Sequence, residues 1–185
     1  MMPALYVIRH GRTDWNTIKR IQGRTDTPLN EEGISMAREA AKRYNSVHFD
    51  ICFCSPMIRA KQTAQILLDG RDIPVEYDDR LKELSFGEYE GLEYPLLPDD
   101  HPVRDAFRDP DNFHPAPGGE TIRELLKRTG DFLEEKVYPL IDEGKDVLIV
   151  GHGAMNSALT VNVKKLPVEK FWEEGIENCV LKQLI

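Results

Sequence analysis

The stretch Ala4–Asn16, ALYVIRHGRTDWN, decides the fold. Its apolar run Leu5–Ile8 has no polar alternation, which is typical of a strand buried on both faces of a parallel sheet. The run ends in Arg9–His10–Gly11, that is, a cation, an imidazole and a glycine. Ligands of open α/β sheets bind beyond the carboxyl ends of the strands. The stretch therefore predicts a buried first strand with a ligand site at its end.

A second stretch, late in the chain, repeats this pattern. Asp146–Val150 is a predicted apolar strand, and Gly151–His152–Gly153 follows it directly. Glycine beside each histidine permits a tight turn and the close approach of a ligand. If the two strands are neighbours in the sheet, His10 and His152 converge on one pocket.

In the rest of the chain, segments with strand periodicity alternate with segments with helix periodicity. We predict strands at Phe49–Cys54, at Ile73–Tyr77 on a sheet edge because of its proline, and at Cys179–Ile185. We predict four helices. They run from Asn30 to Tyr44, from Ser55–Pro56 to Leu68 with proline in the first position, from Thr121 to Val137, and from Ala154 to Val163. This alternation predicts a three-layer α/β/α fold with a mostly parallel central sheet.

The domain organisation follows from length and local composition. At 185 residues, the chain is expected to form a single domain over residues 1–185 and to bury roughly 70% of its unfolded surface. Residues 88–117 are rich in proline and acids, with one short helix expected around 103–108. We interpret this segment as an insertion that caps the substrate site over one end of the sheet.

Composition and charge exclude several classes of function. A formal net charge of −8 argues against nucleic acid or an anionic membrane as a partner, because both need a basic surface. The three cysteines form no CxxC pair, which suits a reducing compartment. The sequence shows neither a signal peptide nor an apolar run of membrane-spanning length. We therefore expect a cytoplasmic protein.

Two arginines distinguish between the possible chemistries of the paired histidines. A zinc site with Glu83 as a third ligand is one alternative. Against it, Arg9 adjoins His10, and Arg59 lies in the first turn of the helix predicted at Ser55–Pro56. Guanidinium groups repel a divalent cation but bind a phosphoryl group bidentately. Unpaired N–H groups at that helix start would also favour an anion, so a phosphate pocket is the preferred interpretation.

A phosphate pocket with two histidines can support phosphoryl transfer. One histidine can attack phosphorus and hold the phosphoryl group. The other histidine and the arginines can neutralise charge on the phosphoryl oxygens. An acid must protonate the leaving alkoxide and later accept a proton from water. Glu83 is a candidate for this role, although spacing alone does not single it out.

Several blocks of sequence, in a fixed order, carry a family resemblance. The chain resembles the histidine phosphatase superfamily, the phosphoglycerate mutase-like proteins. The blocks are Leu5–Gly11 with Thr13 and Asn16, Gln22–Gly23, Pro28–Leu29, Ser55–Ala64, Leu81–Gly87, Pro117–Glu120, Val150–Gly153 and Asn178–Cys179.

The resemblance implies a role for each matching residue. His10 would be the nucleophile that forms a phosphohistidine, and Glu83 the proton donor and acceptor. The phosphate pocket would be completed by Arg9, Arg59 and His152. The substrate side would be lined by Thr13, Asn16, Gln22, Gly23 and Gly153. The resemblance implies no metal and no organic cofactor, and a small phosphorylated substrate as the partner.

Three positions depart from the family pattern. Arg12 stands where glutamate is common, Tyr89 where tryptophan is common, and Val180 where serine is usual. None of these changes removes a catalytic group. Arg12 is expected to add positive charge near the mouth of the site.

The family contains both phosphatases and mutases. The short segment between Phe86–Gly91 and Pro117, and the end of the chain at the last predicted strand, resemble the phosphatase branch. We predict a phosphoric monoester hydrolase, of the histidine acid phosphatase type, acting on a small phosphorylated metabolite. Mutase-type phosphoryl transfer is one alternative, and a non-catalytic protein that binds phosphorylated ligands is another.

Overall fold

A five-stranded sheet forms the centre of the computed structural model, which describes residues 3–185. The strands are β1 (Leu5–Arg9), β2 (Ile51–Cys54), β3 (Val75–Tyr77), β4 (Val147–Gly151) and β5 (Leu181–Gln183). Their order across the sheet is β3-β2-β4-β1-β5. Only β5 runs antiparallel to its neighbour, while the pairs β1–β4, β2–β4 and β2–β3 are parallel. The mostly parallel sheet and the edge position of β3 are thereby confirmed.

Helices connect the strands. The α-helices are α1 (Asp14–Thr17), α2 (Glu31–Arg43), α3 (Ile58–Leu67), α4 (Asp105–Arg108), α5 (Ile122–Phe132), α6 (Tyr138–Asp142) and α7 (Gly153–Lys164). No helix within residues 3–185 is both long enough and apolar enough to cross a membrane.

The sheet separates two apolar layers. In β1, Leu5 and Val7 pack in the same cluster as α5 and α7, while Ile8 packs with α2 and α3 on the other face. Strand β4 alternates in the same way, which follows from the two-residue period of a strand. This arrangement confirms the predicted three layers.

The register of β1 against β4 places the two histidines side by side, at the carboxyl ends of these strands. Arg9 lies opposite Gly151, and the N–H of His10 donates to the carbonyl oxygen of Gly151 at 2.9 Å. The strands are therefore neighbours, as the convergence of His10 and His152 requires.

Several predicted element boundaries are wrong. Helix α3 begins at Ile58 rather than at Pro56, because its N-cap Met57 is extended, with φ −73° and ψ 141°. Strand β3 begins after Pro74, which has no N–H to give to the ladder. Strand β5 does not reach back to Cys179, whose φ of 58° is left-handed and incompatible with a strand.

The long helix predicted from Thr121 to Val137 continues further. A π-helical turn at Leu133–Val137 joins α5 to α6. Proline at position 139 would crowd the carbonyl of residue 135 in a regular α-helix, and the wider π turn directly precedes it. The helix therefore passes a proline without breaking.

The predicted insertion, residues 88–117, consists mainly of short helical turns. The short helix expected around 103–108 is present as a 3₁₀ turn at Pro102–Arg104 followed by α4. Val103, Ala106 and Phe113 are buried in the same cluster as α5 and α7. The insertion is thus packed on the layer that also carries His152.

Candidate active site

The His10 side chain is held in one tautomer. His10 is 2% exposed, and its Nδ1 lies 2.6 Å from the carbonyl oxygen of Gly11. Because a carbonyl only accepts hydrogen bonds, Nδ1 carries the proton and Nε2 carries the free lone pair. Burial, and then the charges of Arg59 and Arg9, hold the pKa of His10 well below its usual value of 6.5. His10 is therefore a neutral base with Nε2 available for attack.

His152 lies behind His10, with ring centroids 5.2 Å apart. It is fully buried, and its Nε2 lies 2.7 Å from Ser55 Oγ. That hydroxyl also accepts the N–H of Met57, and when it donates its own proton to Nε2, the ring proton of His152 lies on Nδ1. Within residues 3–185, this buried Nδ1 has no partner. Burial, followed by the charges of Arg59 and His10, lowers the pKa of His152 well below its ordinary value.

Arg59 is oriented by the loop after α1. It is 1% exposed, and its Nη1 and Nη2 donate to the carbonyl oxygens of Thr25 and Gly23 at 2.9 and 2.7 Å. Burial lowers the pKa of Arg59, and the nearby carboxylate of Glu83 opposes that shift. A guanidinium still remains charged at neutral pH. Arg59 therefore presents a fixed positive charge beside His10.

Two N–H groups at the N-terminus of α3 are already paired with protein oxygens, contrary to expectation. The N–H of Ile58 donates to the carboxylate of Asp26 at 2.8 Å, and that of Met57 donates to Ser55 Oγ at 3.3 Å. The helix end is occupied by a protein carboxylate, because the Asp26 loop packs over it.

Arg9 supplies a second cation, and it lies close to Gly153. A Cβ on Gly153 would lie 3.4 Å from Arg9 Cζ, at the limit of ordinary van der Waals contact. Arg9 Nη1 donates to the carbonyl oxygen of Ile176 at 3.5 Å, whereas its Nε is buried without a partner in the described residues. Burial lowers the pKa of Arg9, and the charge of Glu83 opposes this.

Glu83 is fixed against the N-terminus of α7. Its carboxylate accepts the N–H groups of Leu84 and Met155 at 2.9 Å and of Ala154 at 3.2 Å. The positive end of a helix dipole stabilises a carboxylate there. Arg24 Nε and Arg128 Nη2 also donate to the backbone carbonyl of Glu83, at 3.2 and 3.1 Å. Both the side-chain carboxylate and the backbone carbonyl of Glu83 are therefore held in place by hydrogen bonds.

These groups surround one cavity of about 480 Å³. Among the residues expected from the sequence, its lining includes Arg9, His10, Asn16, Gln22, Gly23, Arg59, Glu83 and Gly153. His152 and Thr13 do not line it. The structure thus brings most of the predicted residues together at the carboxyl edge of the sheet.

Thr13 and Arg12 lie elsewhere than expected. Thr13 is fully buried, where it caps α1 by accepting the N–H of Asn16 and donates to Gln22 Oε1 at 2.8 Å. It holds two lining residues instead of lining the cavity itself. Arg12 pairs with Glu32 at 2.7 Å on the surface and does not line the cavity, so its charge is neutralised away from the mouth.

Glu90 is a further structural residue that the sequence did not reveal. Its carboxylate accepts the N–H groups of Arg24 and Thr25 at 2.9 Å and of Phe86 at 3.1 Å. It thereby fixes the loop whose carbonyls hold Arg59. Gly23 is in the left-handed region, with φ +52°, and a Cβ there would overlap the Glu90 carboxylate. A lone glutamate in an irregular segment carries no local signal of this role.

Aromatic residues line the outer part of the cavity. Tyr94 and Phe107 belong to the insertion, whereas Trp172 lies after α7, far along the chain. Only the folded chain places Trp172 against Phe107, with ring centroids 5.2 Å apart. No spacing in the sequence could have indicated this contact.

The geometry does not favour the zinc alternative. Within residues 3–185, the one set of three potential ligands whose donor atoms lie within 4.8 Å of one another is His48, Asp50 and Asp146. These residues lie before β2 and β4, at the opposite edge of the sheet from His10. The carboxylate of Glu83 is instead bound to backbone N–H groups.

Comparison with known proteins establishes the family of this chain. A sequence model of the Histidine phosphatase superfamily (branch 1) matches residues 5–185. The chain belongs to this superfamily. Its relatives within the superfamily include a 2,3-bisphosphoglycerate-dependent phosphoglycerate mutase 2 of Gloeobacter violaceus, 33% identical over 97% of this chain and 84% of that protein. They also include an uncharacterized phosphatase, PhoE, of Bacillus subtilis, 37% identical over 88% of this chain and 78% of that protein.

A solved structure of the same superfamily fold matches nearly the whole chain. It is a mycobacterial glucosyl-3-phosphoglycerate phosphatase in complex with VO3, with a TM-score of 0.86 and 30% identity. The match covers 98% of this chain and 92% of that one. The predicted family and fold are thereby confirmed, and the relatives include both phosphatases and mutases.

Proposed function

We propose that this protein is a phosphatase that hydrolyses the phosphomonoester of a small metabolite through a phosphohistidine on His10. The carrying observation is the state of His10: a buried, neutral imidazole with Nδ1 bonded to Gly11 and Nε2 free, at a cavity lined by the guanidinium groups of Arg9 and Arg59. A neutral ring nitrogen can attack phosphorus, and fixed cations can stabilise the charge on its oxygens.

In the first step, His10 Nε2 attacks phosphorus, and the bond from phosphorus to the ester oxygen breaks. The leaving alkoxide takes a proton from Glu83 in its carboxylic acid form. Arg9 and Arg59 neutralise the charge of the phosphoryl oxygens during transfer, and the buried, unpartnered Nδ1–H of neutral His152 donates a hydrogen bond to them. The products of this step are the alcohol, phosphorylated His10 and the Glu83 carboxylate.

In the second step, water attacks the phosphoryl group on His10. Glu83 accepts a proton from the attacking water, and the bond between phosphorus and Nε2 breaks. Inorganic phosphate leaves, and neutral His10 and protonated Glu83 are restored. The N–H groups of α7 that hold the carboxylate of Glu83 keep it in position for both proton transfers.

Mutase-type transfer is the second candidate. The likeness to the Gloeobacter mutase favours it, and so does the presence of Lys19 in the cavity lining, since phosphoglycerates carry a carboxylate as well. For either activity, we propose that residues 1–185 act as one domain with residues 88–117 capping the substrate. We do not extend the proposal to the acid phosphatase type, because the matching model is that of branch 1. The cytoplasmic location stays a prediction.

Phosphate release from a phosphomonoester tests this proposal. The His10→Ala variant should lose at least about a thousandfold in kcat/KM, because the nucleophile is removed. His48→Ala is the matched control, since His48 is exposed and lies at the other edge of the sheet. The same preparation is assayed for isomerisation of 3-phosphoglycerate with 2,3-bisphosphoglycerate present. Isomerisation faster than phosphate release would replace the phosphatase with the mutase, and full activity of His10→Ala would refute both.

A further inference from the structure

The outer part of the cavity is built on Phe107. Its ring stacks on Phe86 (centroids 6.3 Å, interplanar angle 18°) and on Trp172 (5.2 Å, 28°). Tyr94 meets the same ring edge-on at 5.1 Å. Phe107 nevertheless remains 41% exposed, and all four of these rings line the cavity. An exposed ring supported by three others is a preformed apolar contact surface.

This aromatic wall is attached to the segment that follows α1. Ile21 donates its N–H to the carbonyl oxygen of Leu92 at 2.9 Å, and Tyr94 donates to that of Lys19 at 3.1 Å. Trp15 and Ile21 line the same cavity as Tyr94 and Phe107. The apolar lining therefore comes from several parts of the chain and is held together by backbone hydrogen bonds.

One of the two cations near this wall is already neutralised. Arg20 pairs with Glu93 at 2.7 Å, and its guanidinium lies over the ring of Trp15 at 5.3 Å. Lys19 is exposed and makes no ion pair with any residue between 3 and 185. Beyond Arg9 and Arg59 at the phosphate end, the cavity lining thus offers one uncommitted cation.

We infer that the substrate is a phosphomonoester whose alcohol carries an aromatic or similar planar apolar group, with at most one further anionic group, placed at Lys19. The inference rests on the proposed function and names the substrate class for that same site. A ring placed against Phe107 gains from burial of apolar surface and from stacking. A second phosphate beside these apolar rings would lose its hydration, which costs free energy. Only the charge of Lys19 would offset that cost.

A pair of alkyl phosphates isolates the contribution of the ring. 2-Phenylethyl phosphate and ethyl phosphate leave as primary alcohols of similar acidity, so the intrinsic reactivity of their phosphate esters is alike. We expect kcat/KM to be at least about tenfold higher for the phenylethyl ester, the effect of burying one ring. It should also exceed kcat/KM for 3-phosphoglycerate.

Two variants locate the effect in the wall. Phe107→Ala should reduce the ratio of the two kcat/KM values by about tenfold, and Phe107→Leu, which keeps apolar bulk without the ring, by less. Tyr77→Ala is the matched control, because Tyr77 is an aromatic residue that is 49% exposed on β3 and does not line the cavity. Its ratio should equal that of the parent protein. Thermal unfolding of each variant verifies that it is folded.

The outcomes separate the two proposals. Phosphate release that depends on His10 but shows equal kcat/KM for both alkyl esters, or a preference for 3-phosphoglycerate, would overturn the aromatic substrate class and leave the phosphatase standing. A preference for the phenylethyl ester that Phe107→Ala leaves intact would also overturn it. No His10-dependent release from any of the esters would overturn the phosphatase itself.

Discussion

At the scale of single residues, His10 and His152 share one unusual property: both imidazoles are buried next to fixed cations. Burial and the charge of Arg59 lower the pKa of each ring well below 6.5. Both rings therefore stay neutral in the folded protein where the histidines of an unfolded chain are protonated. The same environment that keeps Nε2 of His10 reactive makes folding sensitive to acid.

This difference predicts how stability depends on pH. Below pH 6.5, the unfolded chain binds protons at these two positions and the folded protein does not, so the free energy of unfolding falls as the pH falls. The slope approaches about 2.7 kcal/mol per pH unit for the two histidines together. Urea unfolding at pH 7.5, 6.5 and 5.5 measures it. The carboxyl groups with lowered pKa values, such as Asp50 and Glu124, titrate below this window.

The His10→Asn variant provides the control for this measurement. It removes one of the two proton-binding positions from the unfolded chain, so the slope should fall by about half. The neutral state assigned to the two rings would be contradicted if the free energy of unfolding stayed constant or rose as the pH was lowered from 6.5 to 5.5.

At the scale of elements, the loop that carries His10 is held by a contact between two glycines. A Cβ on Gly11 would overlap the backbone of Gly33 in the first turn of α2, and a Cβ on Gly33 would overlap the carbonyl of Arg12. Helix α2 can therefore approach the loop after β1 only because neither position has a side chain. This approach fixes the direction in which the chain leaves the strand.

The Gly33→Ala variant tests this contact. It should lower the free energy of unfolding by about 1–3 kcal/mol, the usual cost of overpacking, and lower kcat/KM as the His10 loop shifts. Gly130→Ala in α5 is the matched control, since its Cβ would lie 3.5 Å from Asn162 Nδ2, an ordinary contact. There, the higher helix propensity of alanine should raise stability by up to about 1 kcal/mol. Equal effects of the two substitutions would contradict the account.

Elements of the fold could be predicted from the sequence where the local pattern is strong. The apolar runs of β1 and β4 are such patterns, and the structure confirms both strands. The predicted start of α3 at Pro56 is wrong. Proline is a local signal for the start of a helix, but tertiary structure overrides it here, and the N–H of Ile58 donates to Asp26 instead. The π turn at Leu133–Val137 could not be predicted, because the spacing of its buried residues, Leu133 and Val137, also fits a regular α-helix.

At the scale of the whole molecule, the candidate site joins residues that are far apart in the chain. The positions of His10 and His152 followed from the strand ends, and those of Arg9 and Arg59 from their neighbours. Glu83 could be singled out from the other acids only through the family resemblance, since its place depends on the N–H groups of Ala154 and Met155. The aromatic wall depends on the packing of residues 88–117 against the segment after α7, which no sequence pattern encodes.

The central claim is that His10 carries the phosphoryl group, and trapping this intermediate tests it most directly. The protein is mixed with a radiolabelled phosphomonoester and denatured within milliseconds at alkaline pH, where the bond between phosphorus and the ring nitrogen survives. We expect the label on Nε2 of His10, at no more than one phosphoryl group per chain. The His10→Ala variant should carry no label. Label on a different residue, or rapid turnover with no labelled protein at any time, would contradict it.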